Sequence, residues 1–321
     1  MKPYPLSSYT SIVLCLILFL ISACGAKSDQ DTSEIASEPV ATVGVTVLTM
    51  THPFFLDLVA ELKAEAARSN IEVVVVSSEF DVARQKDQMS DFIVQQMDAI
   101  ILCPSDSKAI GTSIKEANEA GIPVFTADIA ALVDDVDVVA HIGIDNYNGG
   151  VMAGETMVKA LGGAGKVAII DHPEVESVIQ RTSGFIKALE EANANGSSIE
   201  LVSRLPGSGS MDKSFKAAED MLQAHPDLDL IFGINDETAL GALAAIEKAG
   251  MAGQVQVIGF GGKIEAKKAV DEGKLYADVI AYPKQIGAWS IQAVVAYMNG
   301  EEVDAEQLIP TEMYLSPSAA Q

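Results

Sequence analysis

The segment Thr51-His52-Pro53-Phe54-Phe55 places an imidazole beside two aromatic rings. An imidazole can donate or accept a hydrogen bond, and aromatic rings offer large apolar surfaces for stacking. The segment lies between an apolar run of strand length, residues 43–48, and a helix whose apolar residues recur at helical spacing. In an open parallel sheet, such a loop lies at the carboxyl end of a strand, where small ligands bind. We therefore expect this loop to form one lip of a binding site.

The two phenylalanines also have a structural interpretation. Phe54 could stack on a ligand or fill the core, and the strand-helix context favours neither. Phe55 begins the apolar face of the helix, so the same context favours a core position for it.

Four more polar residues occur near the ends of predicted elements. Asn235 precedes a helix, and its amide can donate and accept at once, whereas the adjacent Asp236 is expected to cap that helix. Asp128 follows an apolar strand and could be a helix cap or a turn residue. Arg181 could be a surface arginine of a helix, and Gln285 a solvated glutamine in a first helical turn.

Strand and helix signals alternate along residues 43–260, which indicates a doubly wound α/β protein. The 24 residues from Asp98, DAIILCPSDSKAIGTSIKEANEAG, match DLIFGINDETALGALAAIEKAG from Asp229 in strand, polar turn and Gly-ended helix. This repeat predicts two similar Rossmann-like lobes of parallel sheet that face each other across a ligand cleft.

The N-terminal residues predict export. An uncharged run, residues 12–21, is too short for a permanent membrane span and fits a signal peptide, residues 1–23. Ile21-Ser22-Ala23-Cys24 resembles a bacterial lipobox, in which Cys24 is lipidated; the alternative is an ordinary signal with an incidental cysteine. Polar residues follow, so we expect residues 24–40 to tether the fold to a membrane.

Composition excludes several classes of function. A formal net charge of −24 opposes binding to nucleic acid phosphates. Outside the signal and lipobox only Cys103 remains, so no disulfide framework is possible, and Cys103 is expected to be a buried apolar residue. The motifs of zinc hydrolases, serine hydrolases and phosphate loops are missing or incomplete, so we predict neither an enzyme nor a cofactor.

Several of these segments resemble those of periplasmic binding proteins of the ribose and galactose type. T-H-P-F-F resembles their N-P-F-F, R-T-S-G-F from Arg181 their R-x-x-G-F, and P-K-Q-I-G from Pro283 their P-x-Q-x-G. The N-D-E segment from Asn235 and the aspartate after a strand, Asp128, also match segments of this family. The resemblance covers roughly residues 41–316. It implies that the ligand is held by His52, Phe54, Phe55, Asp128, Arg181, Asn235 and Gln285.

Four positions depart from the ribose-binding pattern. His52 replaces an Asn, Ile129 an Arg and Gly261 an Asp, and Gly209 falls near the position of an aromatic residue. Because the lost groups make strong charge-assisted hydrogen bonds, we do not assign ribose. The pattern implies a ligand with fewer or different hydroxyls, or a bulkier one occupying the space at Gly209 and Gly261.

Histidines add two expectations. If His52 donates to the ligand, affinity should change between about pH 5 and 8, where imidazole titrates. His172 follows a predicted strand and could reach the cleft, but a surface position is favoured for it.

The resemblance also implies an organisation and a role. The N-terminal lobe would comprise residues 41–143 plus 284–309 and the C-terminal lobe residues 144–283 plus 310–321, joined by a three-segment hinge. The implied role is that of a monomeric, envelope-anchored lipoprotein that passes a sugar, polyol or cyclitol to the membrane permease of an ABC importer. A tethered sensor that signals to a receptor or kinase, and an α/β enzyme acting on a sugar, are the alternatives.

Overall fold

The structure is a computed structural model that describes residues 39–317 and residue 319. The predicted signal peptide, Cys24 and the tether up to residue 38 lie outside the described residues. In the part of the chain that is described, no helix combines the length and apolar character needed to cross a bilayer.

The first sheet contains six parallel strands in the order β11-β5-β4-β3-β1-β2. Its central strands are apolar on both faces, because helices cover the sheet on both sides. The strands are β1 (Ala41–Val47), β2 (Ile71–Ser77), β3 (Ala99–Leu102), β4 (Val124–Ala127), β5 (Ala140–Ile144) and β11 (Glu306–Ile309).

The second sheet repeats this design in the order β12-β10-β9-β8-β6-β7. All of its pairs are parallel except β10 with β12 at the edge, which is antiparallel. The strands are β6 (Ala164–Asp171), β7 (Ser198–Pro206), β8 (Leu230–Gly233), β9 (Gln256–Gly261), β10 (Ala277–Ile280) and β12 (Glu312–Leu315). The repeat seen in the sequence therefore corresponds to two α/β lobes.

Nine helices connect the strands in the described residues. Two pairs of helices have the most extensive contacts: α9 packs on α1 of the first lobe, and α4 packs on α5 of the second. The helices are α1 (Pro53–Arg68), α2 (Val82–Val94), α3 (Gly111–Glu119), α4 (Asn146–Ala160), α5 (Glu176–Ala194), α6 (Met211–Ala224), α7 (Asp236–Lys248), α8 (Ile264–Asp271) and α9 (Pro283–Met298).

The chain crosses between the two sheets three times. The crossings lie between β5 and β6, between β10 and β11, and between β11 and β12. The last of these is only two residues long, since β11 ends at Ile309 and β12 begins at Glu312. The polar loops that follow the carboxyl ends of the strands in one sheet are consequently held close to those of the other sheet.

The predicted alternation of strands and helices is confirmed, with differences at some ends. The sequence pattern of residues 107–120 predicts a helix that ends at Gly121, but α3 begins only at Gly111. The side chain of Asp106 accepts hydrogen bonds from the backbone N–H groups of Lys108 and Ala109, which stabilises a turn there instead. Cys103 is fully buried, as expected, and burial raises the pKa of its thiol.

Candidate functional site

A cavity of about 400 Å³ lies between the two sheets. Its volume falls in the range of small-molecule sites, roughly 300–1,000 Å³. All seven residues that the resemblance singled out line it: His52, Phe54, Phe55, Asp128, Arg181, Asn235 and Gln285. They are separated by up to 233 positions in the chain, so only the fold can bring them together.

His52 caps helix α1 and reaches across the cavity. Its Nδ1 accepts a hydrogen bond from the backbone N–H of Phe54 at 3.1 Å. Its Nε2 lies 2.5 Å from Oε2 of Glu237, which belongs to α7 of the other lobe. Both ring nitrogens therefore contact protein groups in this conformation.

The adjacent phenylalanines differ in their surroundings. Phe55 is 6% exposed and belongs to the hydrophobic core, whereas Phe54 is only partly buried and packs against that core from outside. The two rings meet edge to face with their centroids 5.3 Å apart. Phe54 is consequently the ring with more free surface on the cavity side.

Asp128 presents a buried carboxylate at the end of β4. It is 5% exposed, and its Oδ1 has no hydrogen-bond partner in the structure. Burial raises the pKa of Asp128 to about 6, although the charges of Arg181 and His52 act in the opposite direction. An unpaired, buried acceptor of this kind would be satisfied by a hydroxyl group of a ligand.

Arg181 projects from α5 and is held by three contacts. Its Nε donates to Oδ1 of Asn146 at 2.8 Å, and its Nη1 donates to the carbonyl oxygen of Ile234 at 2.9 Å. The guanidinium lies over the ring of Phe260, 4.0 Å from its centroid. Among the described residues no group accepts from Nη2, so this donor is left for a ligand.

Asn235, not Asp236, caps helix α7, so the expected capping role of Asp236 is wrong. Oδ1 of Asn235 accepts from the backbone N–H of Thr238 at 2.9 Å, and its Nδ2 donates to the carbonyl oxygen of Gly209 at 3.3 Å. Asp236 instead accepts from the backbone N–H of Lys263 at 2.9 Å. Either residue type can cap a helix, so the sequence alone could not separate them.

Gln285 lies in the first turn of α9, where its side chain lines the cavity. Its side-chain amide makes no hydrogen bond within the described part of the chain, so both its donor and its acceptor are available.

Three charged or titratable residues near the cavity were missed or misplaced. Glu237 and Lys263 form an ion pair of 2.8 Å beside the cavity. His172 lines the cavity with 14% of its side chain exposed, so the expected surface position is wrong. Glu237 directly follows Asn235-Asp236, and this N-D-E segment was the one available signal for it.

The space implied at one of the two glycines is already occupied. A side chain at Gly261 would begin 2.3 Å from Oδ2 of Asp236, so this carboxylate already occupies that volume. A side chain at Gly209 would begin 3.1 Å from Nδ2 of Asn235 and 3.8 Å from Nδ1 of His172. The carboxylate of Asp236 therefore replaces the side chain missing at Gly261, whereas Gly209 has two polar neighbours and still lines the cavity.

Two parallel-sheet lobes with a polar, aromatic-lined cavity between them define a class of two-lobed proteins that bind small ligands. A family model described as periplasmic binding protein domain matches residues 43–302. The chain belongs to this periplasmic binding protein family.

Individual relatives and solved structures are similar to most of this chain. The ribose import binding protein of Bacillus subtilis is 32% identical over 296 residues, which is 91% of this chain and 94% of that protein. A solute-binding protein of Bacillus halodurans with bound myo-inositol is 29% identical, with a TM-score of 0.80 over 88% of this chain and 97% of that one. A solute-binding protein from Actinobacillus succinogenes with bound D-allose is 25% identical. The match has a TM-score of 0.79 and covers 87% of this chain and 99% of that one.

Proposed function

We propose that this chain is the substrate-binding protein of an ATP-driven importer and that it captures a monosaccharide, or a related polyol or cyclitol, between its lobes. The observation that carries the proposal is the convergence of Asp128 from the first lobe with Arg181 and Asn235 from the second on one cavity. Relatives named for ribose import, or solved with D-allose or myo-inositol, support this ligand class.

The polar groups of the cavity suit a neutral ligand with several hydroxyls. Oδ1 of Asp128 is an acceptor without a partner, Nη2 of Arg181 is a free donor, and the amide of Gln285 offers both functions. Phe54 adds an apolar surface. A hydroxyl can both donate and accept, so one sugar-like molecule can satisfy all of these groups together.

Ligand contacts drawn from both lobes would favour a closed arrangement over an open one, and this difference in affinity would drive closure. The three crossings between the sheets are the segments that would absorb the rotation, as hinges near residues 143–146, 281–285 and 309–311. The permease of the importer would then bind the closed form.

A thermal-shift screen over sugars, polyols and cyclitols tests the proposal. A ligand that binds only the folded chain raises the melting temperature, and the increase grows with affinity. We expect some compounds of the screen to stabilise the protein, among them at least one of D-ribose, D-allose, xylitol and myo-inositol. A ligand recovered chemically unchanged after long incubation would support binding, whereas turnover would favour the enzyme alternative.

The membrane anchor is a separate proposal that depends on the sequence at Cys24. We infer that the exported chain is cleaved before Cys24 and lipidated there. Mass spectrometry of the mature N-terminus tests this: a lipid-modified cysteine is expected, and an unmodified N-terminus at another residue would contradict it.

A further inference from the structure

Glu237 contacts a charged group of its own lobe and a histidine of the other lobe. Its Oε1 lies 2.8 Å from Nζ of Lys263, which follows β9 in the second sheet. Its Oε2 lies 2.5 Å from Nε2 of His52, which follows β1 in the first sheet. The second contact, here called the cross-cleft contact, therefore joins the two lobes directly.

The cross-cleft contact is shielded from water. The side chains of His52, Glu237 and Lys263 are 17%, 16% and 19% exposed. Burial alone would raise the pKa of Glu237, but His52 and Lys263 outweigh it and lower this pKa to about 2. Glu237 is consequently a carboxylate at neutral pH, and ordinary screening by salt weakens its contacts less than those of a surface pair.

The ring of His52 is oriented by its own backbone. Because Nδ1 accepts from the N–H of Phe54, the proton of the neutral imidazole lies on Nε2, on the side of Glu237. Oε2 lies 2.5 Å from Nε2 and has no other hydrogen-bond partner. His52 thus has no free nitrogen for a ligand in this conformation.

We infer that His52 acts as a positioning residue that favours lobe closure through Glu237, rather than as a direct hydrogen-bond donor to the ligand. Lys263 stays with Glu237 when the lobes separate, because both belong to the second lobe, so the carboxylate keeps its orientation for closure. The contact with His52 exists only when the lobes meet. This inference rests on the proposed function for its effect on affinity, but its effect on closure needs no ligand.

Four variants separate the two roles. Glu237→Gln removes the charge with little change of shape. His52→Asn is too short to keep the contact, yet it retains an acceptor that can cap α1. The double variant tests coupling between the two. Glu265→Gln is the matched control, since Glu265 also lies near Lys263, at 3.7 Å, but is 66% exposed and contacts only its own lobe.

Small-angle X-ray scattering of the ligand-free proteins is the primary measurement. We expect Glu237→Gln and His52→Asn to shift the protein toward a more open form by the same amount, the double variant to shift no further, and Glu265→Gln to match the wild type. Shifts that add in the double variant, or no shift in either single variant, would overturn the inference.

Affinity provides the second readout, measured by calorimetry with whichever of D-ribose, D-allose, xylitol or myo-inositol binds the wild type. Glu237→Gln should bind about tenfold more weakly and Glu265→Gln normally, because less of the free protein is closed. Equal affinity of Glu237→Gln and wild type would contradict the inference. A wild type that binds none of the four probes would count against the proposed function, while the scattering comparison would still decide on the cross-cleft contact.

Discussion

Asp236 and Asp278 are two buried carboxyl groups that accept hydrogen bonds from consecutive residues of the loop after β9. Each has an Oδ1 that receives no N–H or O–H donor, and a single proton held between the two would satisfy both. Their other oxygens accept from the backbone N–H groups of Lys263 and Gly262, each at 2.9 Å. The pair therefore fixes the loop that follows β9.

Asp278→Asn should be tolerated, whereas Asp278→Ala should not. Burial and the neighbouring Asp236 raise the pKa of Asp278 well above its usual value, which favours its protonated form, and an Asn amide can likewise donate to Asp236. We expect the Ala variant to lose about 2–4 kcal/mol of unfolding free energy and the Asn variant less than about 1 kcal/mol. Urea denaturation at pH 7 measures both, and equal losses would contradict the shared proton.

The same pair of carboxyl groups predicts how the difference in unfolding free energy between Asp278→Asn and wild type depends on pH. A native pKa above the unfolded value means that the native state keeps a proton that the unfolded chain has lost, so this contribution to stability falls as pH rises above about 4. Asp278→Asn removes it. Relative to wild type, the Asn variant should therefore gain stability as pH rises above about 4; a constant difference would show that Asp278 titrates normally.

Asp128→Asn should increase the unfolding free energy at pH 7 and weaken ligand binding. Because the native pKa is about 6 and the ordinary value 3.8, ionised Asp128 costs roughly 3 kcal/mol at pH 7. The cost declines as pH falls from 6 to 4. Asn tolerates the left-handed backbone found here, with φ of 65°. The variant should thus unfold at higher denaturant at pH 7, with little change at pH 4, and bind ligand more weakly.

The control for this prediction is Asp134→Asn, which neutralises an exposed carboxylate of the loop after β4. It should alter neither stability nor affinity appreciably. If Asp128→Asn were less stable than wild type at pH 7, buried ionisation at this position would be wrong.

Phe54 and Phe55 should respond differently to truncation. Phe55→Ala opens a hole in the core and should cost about 3–5 kcal/mol of unfolding free energy. Phe54→Ala should cost much less, but it removes a cavity-facing ring and should weaken ligand binding roughly tenfold. Thermal unfolding and calorimetric titration of the two variants decide the matter. Unchanged affinity in Phe54→Ala would make it a packing residue only.

Gly184→Ala should disrupt the packing that positions Arg181. A Cβ at Gly184 would lie 2.1 Å from the carbonyl oxygen of Tyr147 in α4, and the backbone of α5 cannot move away without moving Arg181. We expect a loss of about 3 kcal/mol and weaker binding. Ser183→Ala, on the exposed side of the same helix, is the control, and equal stability of both variants would refute close helix packing as the reason for this glycine.

Much of the site could be predicted because local signals and family motifs agree. Apolar runs and helix starts located the loops that carry His52, Asp128 and Asn235, and the repeat indicated two lobes. The glycines of the motifs had no evident physical reason in the sequence. In the structure, Gly184 lets α5 approach α4, and a Cβ at Gly287 would lie 2.2 Å from the carbonyl oxygen of Leu58, which places α9 on α1.

What could not be predicted depends on contacts between distant segments. The approach of Glu237 to His52 requires the relative placement of two lobes, and no local pattern encodes it. The space beside Gly261 looked empty because the residue there has no side chain, yet the fold brings the carboxylate of Asp236 into it. A side chain that fills the space left by a distant glycine can be recognised only in the three-dimensional structure.

A crystal structure of the protein with the ligand found by the thermal-shift screen would test the central claim most directly. We expect one intact, hydroxylated molecule between the lobes, in contact with Asp128 from one side and with Arg181 and Asn235 from the other. A ligand bound elsewhere, one held by a single lobe, or one that is chemically altered would contradict it.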